Sequence, residues 1–111
     1  MFLFWYVYVS YLELIFIYLI LYTFLMDKAF IMKRFLRKLI NLNIWGGRHT
    51  ELTNLKKAIP KHLRGEKITQ EAIKELVAME FITTKQSTGE MHISLNSKKQ
   101  QEIYDFVKDE E

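Results

Sequence analysis

Hydrophobic and polar positions change their rhythm four times along the chain. Residues 1–26 are apolar or aromatic almost throughout, and Glu13 is their one side chain that ionises near neutral pH. Residues 33–41 switch to a helical stripe, with Phe35, Leu36, Leu39 and Ile40 apolar and Lys33, Arg34, Arg37 and Lys38 around them. Asn41 to Asn43 and the pair Gly46-Gly47 then end that helix in a loop. A second helix is predicted from Thr50, its N-cap, with Leu52, Leu55, Ala58 and Ile59 inside and Pro60 as its stop.

The stretch from 66 to 95 predicts one amphipathic helix running straight into a β-hairpin. Thr69 is placed as N-cap, with Ile68 and Ile73 as a hydrophobic staple. Ala72, Ile73, Leu76 and Val77 form the inner face, and Gln70, Glu71, Lys74, Glu75 and Ala78 the outer one. From Phe81 the period falls to two. Met91, Ile93 and Leu95 alternate with His92 and Ser94 as one strand. Thr83 and Thr84 suit its partner, and Ser87, Thr88 and Gly89 supply the turn. Ser97 and Gln100 have capping-box spacing ahead of a last helix whose inner face is Ile103, Phe106 and Val107. The domain plan is therefore an apolar segment at 1–26, a junction at 27–31, a folded domain at 32–107 and a frayed acidic tail at 108–111. The expected fold class is mainly α with a small β-hairpin, an α+β arrangement.

Charge sharpens this plan. The net +3 conceals −2 over residues 1–27, +9 over 28–67 and −4 over 68–111. A basic block of that density points to a polyanionic partner, nucleic acid or an anionic membrane surface. The chain has no cysteine, which excludes disulfides and thiolate metal sites. His49, His62 and His92 lack metal-ligand spacing. Glu71 and Glu75 lie one helical turn apart, but a solvated helix face explains them. Gly46-Gly47 has no phosphate-loop lysine, and no nucleophile motif is present. The chain reads as a non-enzyme without cofactor or metal.

Twenty-six helical residues span roughly 39 Å, more than a ~30 Å hydrocarbon core. Glu13 at mid-bilayer costs about 3 kcal/mol. Fifteen Leu, Ile, Phe and Val residues, at about −0.3 to −0.6 kcal/mol each, outweigh it. The segment lacks the basic start and the small-residue cleavage site of a signal peptide. Lys28, Lys33, Arg34, Arg37 and Lys38 follow it, so the positive-inside rule gives a single-pass membrane protein with a cytoplasmic C-terminal domain. The tyrosines at 6, 8, 11, 18 and 22 are spread along the run rather than gathered at its ends. The alternative is a cytoplasmic protein whose translation starts at Met26 or Met32, the apolar run then being a misassigned start.

The run HTELTNLKKAIPKHLRGEKITQEAIKELVAMEFITTKQSTGEMHISLN resembles small archaeal winged helix-turn-helix DNA-binding proteins, over residues 32–106. The resemblance implies a transcriptional regulator whose third helix enters the major groove while its wing touches the backbone or minor groove. Carried onto this chain, Thr69, Gln70 and Lys74 face bases. Lys85, Gln86, Ser87 and Thr88 form the wing tip, and Lys56, Lys57, Lys61, Arg64 and Lys67 meet phosphates. The partner implied is double-stranded DNA, with a homodimer expected because such modules commonly read two half-sites. Independently of the resemblance, five bases within twelve residues supply the electrostatic part of DNA binding. A glutamine near a helix N-terminus can pair with adenine. Glu71 and Glu75 on the same face repel phosphate, which leaves open a non-enzymatic protein-interaction module at a membrane or ribosomal surface.

Overall fold

The computed structural model describes residues 2–108, so residues 109–111 of the expected acidic tail lie outside the described residues. The fold is mainly helical with a three-stranded antiparallel sheet, an α+β arrangement. Helix α1 spans Phe2–Asn41, β1 Thr50–Glu51, α2 Leu52–Lys56, α3 Lys67–Ala78, β2 Ile82–Ser87, β3 Glu90–Leu95 and α4 Gln100–Lys108. Short 3-10 turns sit at Lys61–Leu63 and Ser97–Lys99.

Helix α1 is the axis of the molecule. The expected junction at 27–31 is helical, and the apolar segment and the first domain helix are one element. Nothing in residues 26–33 breaks a helix: there is no glycine or proline, and Ala29, Met26 and Met32 are strong helix formers. What changes there is the surrounding. Ile31, Met32, Phe35, Leu36 and Leu39 are buried, whereas residues from Trp5 to Met26 are largely exposed. Helix α1 packs on α2, α3, α4 and β3, so one helix supplies a wall of the whole core. The core is closed by Leu55 and Ile59, by Ala72 and Leu76 of α3, by Ile93 and Leu95 of β3, and by Ile103 and Val107 of α4.

Both long helix ends are turned by residues with left-handed backbone. At Asn43 (φ 56°), the Ile44 amide donates to the Leu39 carbonyl at 3.0 Å and the Asn43 amide to the Ile40 carbonyl at 2.9 Å. At Glu80 (φ 62°), Phe81 donates to Leu76 and Glu80 to Val77, each at 3.0 Å. These are two Schellman caps, and each swings an apolar residue, Ile44 or Phe81, back onto the core.

The sheet order is β1-β3-β2. Strand β1 departs from the sequence pattern: Thr50 does not cap α2 but pairs with Ile93, and Glu51 pairs with His92. Helix α2 consequently starts after Glu51, with no side-chain cap, and it ends at Lys56 rather than running on to Ile59 and Pro60, so it is five residues long. The pairing gives β3 backbone partners on both edges, which explains why two residues leave the helix for the sheet. Ser94, expected on the outer face, is fully buried and donates through Oγ to the Gly46 carbonyl at 2.9 Å. The loop 44–46 covers it: Leu95 donates to Ile44 at 2.9 Å, and Gly46 to Leu95 at 3.0 Å. Trp45 of that loop packs against Tyr104, ring centroids 5.9 Å apart, as a plug between loop and α4. The capping box expected from Ser97 is replaced by Asn96, whose side chain accepts from the Lys98 amide.

Strands β2 and β3 pair from Ile82↔Leu95 to Ser87↔Glu90. The two-residue turn Thr88-Gly89 has positive φ at both positions, 47° and 78°. That is the type I′ geometry matching strand twist, and it suits Gly89 but penalises a β-branched Thr88. Thr88→Asn is therefore expected to raise stability by about 0.5–1 kcal/mol, part of the left-handed penalty. Urea unfolding checks this; an unmoved midpoint would show that the turn carries no such penalty.

Candidate nucleic-acid interface

The placement of the expected base-reading residues follows from how α3 sits on the core. Ile68, Thr69, Ala72, Ile73 and Leu76 are buried, so at about 100° per residue the helix turns a ridge of Lys67, Gln70, Glu71, Lys74 and Ala78 outward. Gln70 and Lys74 are exposed on that ridge, as the spacing predicts. Thr69 is not. The helix starts at Lys67 with Glu66 as its cap position, which places Thr69 inside the first turn at 0% exposure. Its hydroxyl donates to the Leu63 carbonyl, tying the 3-10 turn to α3. Thr69 is a structural clasp and cannot face bases. Ile68 pulls the helix start earlier because it is buried in the core. Val77, expected inside, is 41% exposed at the far end of the ridge.

The acidic objection on this face is half removed. Glu75 lies on the flank of α3 turned toward α1, where Lys28 Nζ stands 3.8 Å from its carboxylate. The Lys28 side chain is 22% exposed and that of Glu75 49%, so this is a screened surface pair worth only a few tenths of a kcal/mol. Its consequence for the site is charge placement, since Glu75 is compensated and points away from the outward ridge. Glu71 is half-buried beside Lys67 and Lys74 and stays on the ridge.

The basic link before α3 divides into two roles. Lys57, Lys61 and Lys67 are exposed, and Lys56 is half-buried. Arg64 turns inward: its Nε donates to the Ile59 carbonyl at 3.1 Å and a terminal nitrogen to the Lys57 carbonyl at 3.4 Å. The guanidinium thus satisfies carbonyls in the turn between the end of α2 at Lys56 and Pro60, and it is a brace rather than an open phosphate ligand.

At the hairpin, register separates the expected wing residues. Lys85 opposes His92 and Gln86 opposes Met91, so Lys85 and Ser87 share one face while Gln86 looks to the other. Lys85, Gln86 and Thr88 are exposed and Ser87 is half-buried. Because His92 also opposes Glu51, a cross-strand row Lys85–His92–Glu51 crosses the outer sheet face. His49, His92 and Lys57 border one shallow groove beside that row. No sequence signal marks this grouping, since it needs the β1–β3 register and the packing of α2. Glu90 accepts weakly from the Thr53 amide at 3.5 Å, linking the turn end of the hairpin to the start of α2.

Among the described residues no group of three or more His, Cys, Asp or Glu is placed to hold a metal ion. One helix is long and apolar enough to cross a membrane, and its apolar window has no share buried by the rest of the chain. Neither family models, nor curated proteins, nor solved structures give a significant match to this chain.

Proposed function

We propose that the part of the chain from residue 29 onward is a winged helix-turn-helix domain that binds duplex DNA chiefly through phosphates, carried on a membrane-spanning helix formed by residues 5–26. The observation that carries this is topological. Helix, strand, helix, helix and hairpin follow one another, and the first strand pairs with the last to give the order β1-β3-β2. In that arrangement α3 is the helix offered to a groove and the hairpin is the wing. Gln70 and Lys74 meet the groove, with Lys57, Lys61 and Lys67 on the flanking phosphates and Lys85 at the wing. Thr69 and Arg64 drop out of the contacting set, being held inside. Gln70 can pair with adenine and Lys74 with guanine, but the remaining contacts fall on phosphates, so most of the interface carries no sequence information and the binding has low sequence preference. The Lys28–Lys38 cluster orients the domain to the cytoplasmic side.

A protein-docking role for the same surface draws on exposed Val77 and half-buried Glu71, which suit a polypeptide better than a phosphate backbone. Titration of the full chain in non-ionic detergent against a labelled ~20-base-pair duplex separates the two. Binding is expected at about 50 mM salt, weakening as salt rises. In the Lys57→Ala/Lys61→Ala/Lys67→Ala variant the slope of log affinity against log salt becomes shallower by about 2–3, near 0.9 for each phosphate that is no longer neutralised. No binding at low salt, or an unchanged slope, would turn the assignment to protein docking.

A further inference from the structure

We propose that Glu13 and Ser10 form a self-complementary seam through which two copies of this chain pair as parallel helices inside the bilayer. This rests on the membrane-spanning role proposed above. From Trp5 to Met26 the helix rises about 33 Å, and Glu13 lies roughly 12 Å from Trp5, close to the middle of the hydrocarbon. There it has neither water nor a partner of its own chain. It is exposed, and among the described residues no hydrogen bond or ion pair reaches it. An ionisable group at that depth faces other helices or a polar cavity rather than lipid tails.

The surface around it has the form that a facing helix fits. A shallow depression beside Glu13 is lined by Val9, Leu12, Phe16 and Ile17 together with Glu13 itself. Val9, Leu12, Glu13 and Phe16 stand at i, i+3, i+4 and i+7, the spacing of a hole that accepts a knob from a neighbouring helix, and Ile17 extends the depression by one residue. Ser10 lies about 60° to one side of Glu13, and the hole formed by Val9, Leu12, Glu13 and Phe16 is centred about 50° to the other. Rotation about a two-fold axis parallel to the helices sets the Ser10 flank of each copy against the depression of the other. The Glu13 stem leans toward its own N-terminus, as helical side chains do, and so rises toward the level of the partner's Ser10. A hydroxyl of each copy then donates to the carboxyl group of the other. A second copy fits better than an unrelated helix because every copy inserts with the same orientation, which puts donor, acceptor and hole at matching depths. The pair would hold two DNA-binding domains side by side, as two half-sites require.

Energy transfer between donor- and acceptor-labelled copies of the full chain in phosphatidylcholine vesicles tests the seam. Transfer above the random level is expected for the native chain. Glu13→Leu is expected to weaken association about tenfold, two interhelical bonds at roughly threefold each, while Glu13→Gln retains most of it. Transfer at the random level for the native chain, or a Glu13→Leu variant that associates like it, overturns the proposal. Vesicle flotation of the native chain tells the failures apart. Chains that float but do not pair refute the seam alone, whereas chains that do not float refute the membrane role and the seam with it.

Discussion

Phe35→Ala is expected to lower the unfolding free energy of the domain by about 3–5 kcal/mol, the range for truncating a fully buried aromatic ring. Among the described residues, Phe35 is the largest side chain with no exposure at all. It lies on the stretch of α1 that packs against the other helices and β3, so the cavity opens where α1 meets the rest of the core. A small domain has roughly 5–15 kcal/mol of stability in total, and such a loss leaves it marginal. Denaturation in mild detergent, followed by the near-ultraviolet signal of Trp45 and its neighbours, measures it. A loss under about 1.5 kcal/mol, the size of a well-tolerated hydrophobic swap, would show that the core does not close over residue 35.

Ala29→Pro is expected to disconnect the two halves of α1 while leaving the domain folded. Proline at 29 removes an amide that helix geometry pairs with the carbonyl of Leu25, and its ring clashes with that carbonyl, at about 3 kcal/mol or more. The break falls above Ile31, where core burial begins, so the remaining helix starts with proline in its first turn, where proline is tolerated. The chain has no native cysteine, so a spin label at Glu102→Cys on exposed α4 reports the domain alone. In vesicles the label is expected to move slowly in the native chain, locked to the membrane through one continuous helix. In the proline variant it moves on the nanosecond scale, while the melting midpoint of the domain shifts little. Equal mobility in the two proteins would mean that α1 does not act as a rigid stem.

These two substitutions bear on the element that the sequence pattern divides and the fold joins. Apolar density separates residues 1–26 from 33–41, because the first run is apolar on all sides and the second on one side. Helix propensity is blind to that difference and continues across it. The burial of Ile31 and Met32 is likewise set by what packs beside them, α3 and its neighbours, and not by the residues themselves.

The candidate site was legible in the same uneven way. The exposure of Gln70, Lys74, Lys61, Lys67 and Lys85 follows from local periodicity and polarity. Thr69 and Arg64 have the composition of contact residues, but each is drawn inward by nearby backbone carbonyls, that of Leu63, which also accepts from the Glu66 amide, for one and those of Ile59 and Lys57 for the other. Threonine suits an N-cap and a clasp equally well, and the choice between them depends on where the core takes hold of Ile68. The compensation of Glu75 by Lys28 joins residues 47 positions apart, and no spacing rule reaches that far.

By itself the sequence determined the helix α3, the hairpin after it, the closing helix with Ile103 and Val107 inside, the basic middle of the chain and the apolar run at its start. Each is written in a period, a turn residue or a local charge density. The tertiary structure alone decided that α1 is one helix, that Thr50 and Glu51 become a third strand, that Ser94 and Thr69 are buried, and which acids on α3 are compensated. Those outcomes depend on unpaired backbone groups and apolar faces finding partners far along the chain, and that information exists only once the chain has folded.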